Sequence, residues 1–448
     1  MKRSLALGAC AAALLAAAPA LAVNKNQSAE FVRTLNRNAS TDPDASFFNP
    51  AGLAFLPGDG LFVSASNQFI FIDKTVEDRS DLLSRLHPDP YEGKTQALLY
   101  PSVHLAYHFV EDFAAYLNFL PIGGGGGGVY EDGIPMFDAM LATTINDQLA
   151  PFNAQLTAFN RDLYLEGSAY NLSWSVGFAY RFHKIASVAV GYRLIYAIQD
   201  FKGHVKGITV DTSNPAITPI ANTTIQNSVG DNEFTLKASG LGSTFIGGLH
   251  LRPVDELNIG FRVEGSTVLE LENDTTIDGP SEDIRTLFAN TSFGDGRRSK
   301  ITDPVLFGLG VSYLFFDRLK VEANMTYQLS AEVDLDGAED TRKNSVFAGL
   351  AAEYAVLDPL KLSLGYAYDT GDRKPEARTD LDFGTPTHYI AGGGTWTIIP
   401  ALDLTAGLIY GWKPVAEANT SVAPEGGIQA ISETNIDIGV GLTYRLMQ

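Results

Sequence analysis

Arg193 and Arg262 each stand at the centre of an alternating run, Tyr192-Arg193-Leu194 and Phe261-Arg262-Val263. A guanidinium presents a planar fork that matches a carboxylate bidentately, so an inward arginine can hold the head of an organic acid. Two readings stand side by side. Either arginine could meet an anionic ligand, or both could belong to an ion-pair ladder, because Glu264 follows Arg262 on the same face and Lys320 and Glu322 are also inward. His104 and His108, four apart on another alternating run, would lie about 13 Å apart on a strand, too far to share a metal ion. No Ser-His-Asp set or phosphate-binding loop stands out. The single cysteine, Cys10, lies in an N-terminal apolar run. The expectation is no enzyme, no cofactor, no metal site and no disulfide.

The elements that must carry these side chains announce themselves by period-2 alternation. From Tyr170 to Phe182 one face reads Tyr170, Leu172, Trp174, Val176, Phe178, Tyr180 and Phe182, against Asn171, Ser173, Ser175, Gly177, Ala179 and Arg181. The same split recurs over Leu319–Glu332 and over Ile436–Leu446. Candidate strands fall at 60–73, 95–110, 112–122, 164–183, 185–200, 232–252, 254–270, 300–316, 317–334, 343–356, 358–370, 384–399, 401–415 and 430–447. Several exceed the ~5–6 residues usual in soluble sheets, and they place aromatic residues near their ends, as membrane interfaces require. Short turns alternate with long loops, which assigns the short ones to the periplasm and the long ones to the outside. In lipid no strand edge can stay unpaired. The fold class expected is all-β, a transmembrane antiparallel β-barrel of about 14 strands.

Charge and hydropathy agree with that class. The mean hydropathy is only +0.01, as expected where lipid-facing and lumen-facing residues alternate. A net charge of −20 makes nucleic acid an improbable partner. Much of the acid lies in segments read as external loops, Asp73–Asp81 and Glu270–Asp283. Lys2, Arg3, the apolar run Leu5–Leu21 and Ala20-Leu21-Ala22 form a cleavable export signal over 1–22. Residues 60–448 form the barrel.

Two segments do not read as barrel. Residues 23–59 are irregular and precede the first strand. The stretch 123–163 opens with Gly123, Gly124, Gly125, Gly126, Gly127 and Gly128 and continues with Phe137, Met140, Leu141, Ile145, Leu149, Phe152, Leu156 and Phe159 at helical spacing. This amphipathic helix is either a lid packed on the barrel mouth or one wall of a site for an apolar ligand.

The segment Asp44-Ala45-Ser46-Phe47-Phe48-Asn49-Pro50-Ala51-Gly52-Leu53 resembles the N-terminal hatch signature of the FadL/TodX family, outer-membrane transporters of long-chain fatty acids and other hydrophobic compounds. With the strand count, the resemblance spans the whole chain after the signal. It implies a 14-stranded barrel plugged by residues 23–59, with Asn49, Pro50, Ala51 and Gly52 in hatch gating. Phe47, Phe48, Arg193 and Arg262 become the candidate ligand-binding residues. The family's third strand is kinked, leaving a gap for sideways release, so Gly123 to Gly128 either make such a gap here or act as a hinge into the loop. The function expected is passive, hatch-gated uptake of a fatty acid or hydrocarbon, with a structural or adhesive barrel as the alternative. Expected partners are that ligand, outer-membrane lipid and lipopolysaccharide, and the barrel-assembly machinery; a monomer is expected.

Overall fold

A computed structural model describes residues 28–447 apart from 111, 229, 280–284, 286–288, 290–293, 336–338, 379, 381–383 and 420–427. The signal segment, the first hatch residues 23–27 and the acidic stretch 280–283 lie in whole or in part outside the described residues. The strands are β1 (Gly60–Asp78), β2 (Tyr91–Val110), β3 (Phe113–Tyr130), β4 (Leu156–His183), β5 (Ala186–Thr212) and β6 (Asn232–Val254). Next come β7 (Leu257–Glu264 and Thr267–Asp278), β8 (Arg298–Asp303 and Leu306–Phe315), β9 (Leu319–Gln328) and β10 (Ser345–Leu357). The last are β11 (Leu360–Asp369), β12 (Thr387–Ile399), β13 (Leu402–Asn419) and β14 (Ile428–Met447). Strands β7 and β8 are each interrupted once, β8 at Pro304, which has no N–H to give to a ladder. The 14 staves pair antiparallel in sequence order, and β1 with β14 closes the ring.

The alternation sorts lipid from lumen. On β4, Trp174, Val176, Phe178, Tyr180 and Phe182 are exposed on the outer wall, whereas Asn171, Ser173 and Ser175 are buried inside. On β14, Ile436 to Leu446 face out while Asp437 is fully buried. An apolar outer band with every strand edge paired is the only way a sheet can cross lipid.

The strand ends differ from those expected. The barrel's upper rim is taller, because β3, β4 and β5 run on well above the membrane. β4 has 28 residues, about 90 Å of strand, against the ~25 Å apolar band of such barrels. Asp73–Asp78 and Glu270–Asp278, read as loop, are therefore the tops of β1 and β7. The Gly123–Gly128 run, read as the start of a loop, lies within β3. The helix in that region is α4 (Pro135–Leu149), after α1 (Ala29–Thr34), α2 (Ala45–Phe48) and α3 (Leu83–Leu86); α5 is Thr218–Ser228. Leu156 and Phe159 are not its continuation but the first turn-side residues of β4. Asn153 in the left-handed region, φ 53°, ends the helical stretch after Pro151. Strand β9 stops at Gln328 where a 3-10 turn begins, short of the expected residue 334.

Residues 28–56 fill the lumen. Ser28 caps α1, accepting the Phe31 N–H at 3.0 Å, and Leu35 ends it at φ 60°. Asp44 stands before α2, but its carboxylate is taken by Arg37 (Nε 2.8 Å, Nη2 2.7 Å) and by Ser28 Oγ at 2.9 Å. Burial alone would push the Asp44 carboxyl up; the adjacent Arg37 outweighs it and holds the group below the usual carboxylate range.

Candidate functional site

Alternation turns Arg193 on β5 and Arg262 on β7 inward, where they are 2% and 4% exposed. One strand separates them, yet both reach the same carboxylate: Arg193 Nη1 lies 2.5 Å from Glu264 Oε1, and Arg262 pairs with Glu264 Oε2. Arg262 and Glu264 are two apart on one strand and so share a face. Arg193 also donates Nε to Ser175 Oγ at 3.0 Å, from the residue paired opposite it on β4. Phe47 of the hatch lies against both guanidinium groups, 4.6 Å from Arg193 and 4.9 Å from Arg262. Such cation–π contacts gain strength when desolvated. The ion-pair reading of the two arginines is thus what the geometry displays. Two donors remain: Arg193 Nη2 and Arg262 Nε are buried without a hydrogen-bond partner among the described residues.

These groups border a cavity of about 70 Å³ lined by Phe31, Phe47, Phe48, Ile122, Leu306 and Phe347 on its apolar side. Phe31 and Phe48 stack at 5.4 Å, and Phe47 meets Phe48 edge-on at 5.1 Å. Leu120, Ile134, Met136, Leu141, Ile145 and Leu149 belong to the same packed cluster as the hatch phenylalanines. Helix α4 is therefore a lid on the barrel mouth whose inner face also extends the apolar column. Asp138 fastens it, accepting from Tyr91 Oη at 2.6 Å and from Arg161 Nε at 2.9 Å. Asp380, from the β11–β12 loop, accepts the Met136 N–H at 2.6 Å.

Below the hatch the lumen is polar. A second cavity of about 310 Å³ is lined by Glu30, Arg33, Asp42, Lys320, Glu353 and Arg445, among others. Arg33 pairs with Glu30 and Glu353, Lys320 with Glu322, and Arg445 with Asp403. The hatch is the boundary between an apolar upper lumen and a charged lower one.

The wall itself is irregular beside the upper cavity. β2 and β3 pair from Val103/Phe119 downward and again from Gln96/Gly127 upward, but residues 97–102 and 120–126 do not pair with each other. Pro101 and Pro121 lie on the two edges of this window, and neither can donate to a ladder. On the β1 side, Asn67 substitutes for missing backbone partners, accepting from Tyr100 N at 2.9 Å and donating to Leu98 O at 3.1 Å. On the β4 side, β3 bulges twice, at Pro121/Gly123 and Gly124/Gly127. Gly124 adopts φ +78°, and a Cβ there would sit 1.9 Å from the Ala169 carbonyl oxygen. The glycine run is thus a distorted strand flanking a pairing gap, and Ala97 and Tyr100 of the unpaired β2 stretch pack with Ile70 of β1. Ile122, inside the gap, also lines the cavity.

Some residues here were not singled out by the sequence. Ser46 donates to or accepts from His104 Nδ1 on β2 at 2.9 Å, and its carbonyl accepts Asn118 Nδ2 on β3 at 2.9 Å. Phe31, Tyr100 and Phe347 are aromatic positions that alternation marks only as strand or hatch. Asn49 Nδ2 donates to Leu249 O at 3.1 Å, and Ala51 O accepts from Ser187 Oγ at 2.7 Å, so the Asn-Pro-Ala-Gly turn is seated on β5 and β6. His108 binds Gly58 O and Asp59 instead of approaching His104.

No family model and no curated protein matches this chain. Solved structures do. A FadL homologue of Pseudomonas aeruginosa superimposes with a TM-score of 0.65 at 16% identity, covering 93% of this chain and 98% of its own. The toluene transporter TodX of P. putida gives 0.57 at 15%, covering 91% and 95%. The toluene transporter TbuX of Ralstonia pickettii gives 0.53 at 13%, covering 90% and 94%. The closed ring of 14 staves, the hatch inside it and these superpositions along nearly the full chain show that the protein has the fold of the FadL/TodX-type outer-membrane channels.

Proposed function

We propose that the protein is a passive outer-membrane channel for hydrophobic small molecules, a long-chain fatty acid or a hydrocarbon. The observation that carries this reading is the apolar cluster that packs the lid α4 together with Phe47 and Phe48, beside a cavity whose lining includes Ile122 of the β2–β3 window. Each buried CH₂ of a ligand contributes about 0.8 kcal/mol, so capture needs shape and little else. The free donors on Arg193 and Arg262 supply an acceptor-seeking end for a carboxylate or hydroxyl head. At about 70 Å³ the cavity is roughly half the ~150 Å³ apolar hole that admits benzene. A ligand must therefore displace hatch side chains to bind, which couples occupancy to hatch movement. The charged vestibule beneath disfavours release of an apolar molecule downward, and the window beside Ile122 offers the sideways route into lipid. Capture by the outer loops, a monomeric state, lipopolysaccharide contact and delivery by the barrel-assembly machinery complete the reading.

Binding of radiolabelled oleate and toluene to the purified barrel tests it, with Arg193→Ala and Arg262→Ala alongside. Saturable oleate binding weakened by about tenfold in either variant, one charged hydrogen bond's worth, identifies a carboxylate-reading channel. Toluene binding indifferent to both arginines identifies a hydrocarbon channel. No saturable binding of either probe rejects transport in favour of a structural barrel.

A further inference from the structure

The inner wall carries a track of glycines, and the hatch lies on it. A Cβ at Gly441 would meet Ala29 Cβ at 2.9 Å, at Gly439 Val32 at 2.8 Å, at Gly407 Arg33 N at 2.8 Å, and at Gly365 Thr34 O at 2.2 Å. The track continues with Gly349 against Asn36 at 3.0 Å, Gly310 against Ala39 N at 2.6 Å, Gly260 against Asn38 O at 2.0 Å and Gly248 against Asn49 at 2.7 Å. Several of these glycines are cross-strand partners: Gly439 with Gly407, Gly407 with Gly393, and Gly310 with Gly260. The track thus crosses most of β6 to β14 at one level. A side chain at Gly407, Gly365, Gly310 or Gly260 would push the hatch backbone off the wall. Residues 29–39 and 49–55 are seated; Asn49, Ala51 and their neighbours complete the circuit on β4, β5 and β6.

Ala45–Phe48 is different. It crosses to β2 and β3, where its polar links to the wall are those of Ser46 to His104 and Asn118. These two wall residues pair with each other one step below the window. Both ends of the segment are fixed: Asp44 by Arg37 and Ser28, and Asn49 by Leu249. Between them stand Phe47 and Phe48, two of the aromatic side chains that line the cavity.

We propose that the hatch works in two parts. The glycine-seated residues 29–39 and 49–55 form a fixed seal, and Ala45–Phe48 is a four-residue flap that turns between Asp44 and Asn49. Turning it breaks the Ser46 links to β2 and β3, withdraws Phe47 and Phe48 from the cavity, and joins the cavity to the window. The Asn-Pro-Ala-Gly turn is then footing, not the moving part. The inference rests on the transport reading above.

Two disulfides separate the parts, in a barrel segment that has no cysteine of its own. Ala29→Cys/Ser66→Cys, with Ala51→Cys/Ser187→Cys as a second choice should the first misassemble, locks the seal without touching a track glycine; Ser46→Cys/His104→Cys locks the flap. Cells expressing each are assayed for uptake of radiolabelled oleate and toluene, oxidised and after reduction. The expected result is uptake within about twofold of the reduced form for the seal lock and a loss of about tenfold or more for the flap lock, regained on reduction. Loss of uptake with the seal lock, or indifference to the flap lock, overturns the inference while the reduced forms keep the transport reading intact. If the unsubstituted chain takes up neither probe, the transport reading itself falls and the flap with it.

Discussion

At the scale of single residues, several charges in the lumen share partners, and removing one strands another. Glu264 is shared by two buried arginines. Deleting one member of a buried ion pair costs about 3–5 kcal/mol, because the partner's desolvation is no longer offset. Glu264→Ala should therefore lower the thermal transition of the detergent-solubilised barrel by several degrees, whereas replacing all three charges, Arg193→Met, Arg262→Met and Glu264→Leu, should recover most of the loss. That alternation alone directs Arg193 and Arg262 inward was legible in the sequence. Their meeting at Glu264 was not, since it depends on the register of β5 against β7 across β6, which single-strand patterns do not contain. Asp44 extends the argument to pH. Its carboxyl titrates below the ordinary ~3.9 in the folded hatch, so the unfolded chain binds the proton first. Its contribution is present above about pH 4 and is lost as the pH falls through the lower, folded value. Asp44→Asn should flatten the acid limb of a plot of unfolding midpoint against pH; an unchanged acid limb would place the effect elsewhere.

At the scale of elements, the glycine-rich stretch of β3 shows why its role was only half readable. Six glycines after a strand signal a break in pairing, but the sequence cannot say whether the chain leaves the sheet there or stays in it distorted. It stays, because β4 continues beside it and bulges absorb the mismatch. The same reason explains why strand ends were placed too low: above the membrane both faces of β3, β4 and β5 are wet or covered by lid and loops, and the apolar contrast that marks a strand in lipid is gone. Gly124→Ala would set a Cβ against the Ala169 carbonyl at a positive φ, a strain of about 1–3 kcal/mol. It should shift the β3–β4 bulge and lower uptake more than Gly127→Ala, where nothing lies within 4 Å of the new Cβ. Equal effects at the two positions would mean that the run is a hinge and not a shaped edge. The lid has its own pH dependence. Burial pushes the Asp380 carboxyl up to about 6, so the folded lid holds this proton more tightly than an unfolded chain does. Lid seating is then fullest below about pH 4 and weakens as the pH rises through 6. Amide exchange in α4, corrected for intrinsic rate, should be slower at pH 5 than at pH 7.5, and Asp380→Asn should remove the difference.

At the scale of the whole molecule, the barrel and the hatch solve separate problems. Apart from the β2–β3 window, the strands pair with their neighbours round the ring and present an apolar band outward, so the cylinder should stand without its contents. The strand count, turn positions and hatch motif could be read because each leaves a local mark: alternation, a two- or three-residue turn, a Pro-Gly pair. The glycine track leaves no such mark, since its glycines are spread over many strands and only the closed sheet brings them to one level. What the hatch adds is a seal between an apolar upper lumen and a charged lower one of about 310 Å³. Residues 28–56 are almost wholly buried, and the glycines let their backbone lie flat on the wall. Removing residues 28–56 should therefore leave a barrel that still migrates as a folded, heat-modifiable species, because none of the strand pairings runs through them. In planar bilayers the intact protein should be nearly silent, while the hatch-deleted form should conduct ions through the exposed polar lower lumen and the emptied cavity. A folded deletion variant that stays silent would show that the lid α4 and its apolar column close the channel unaided, and the hatch would then serve ligand handling alone.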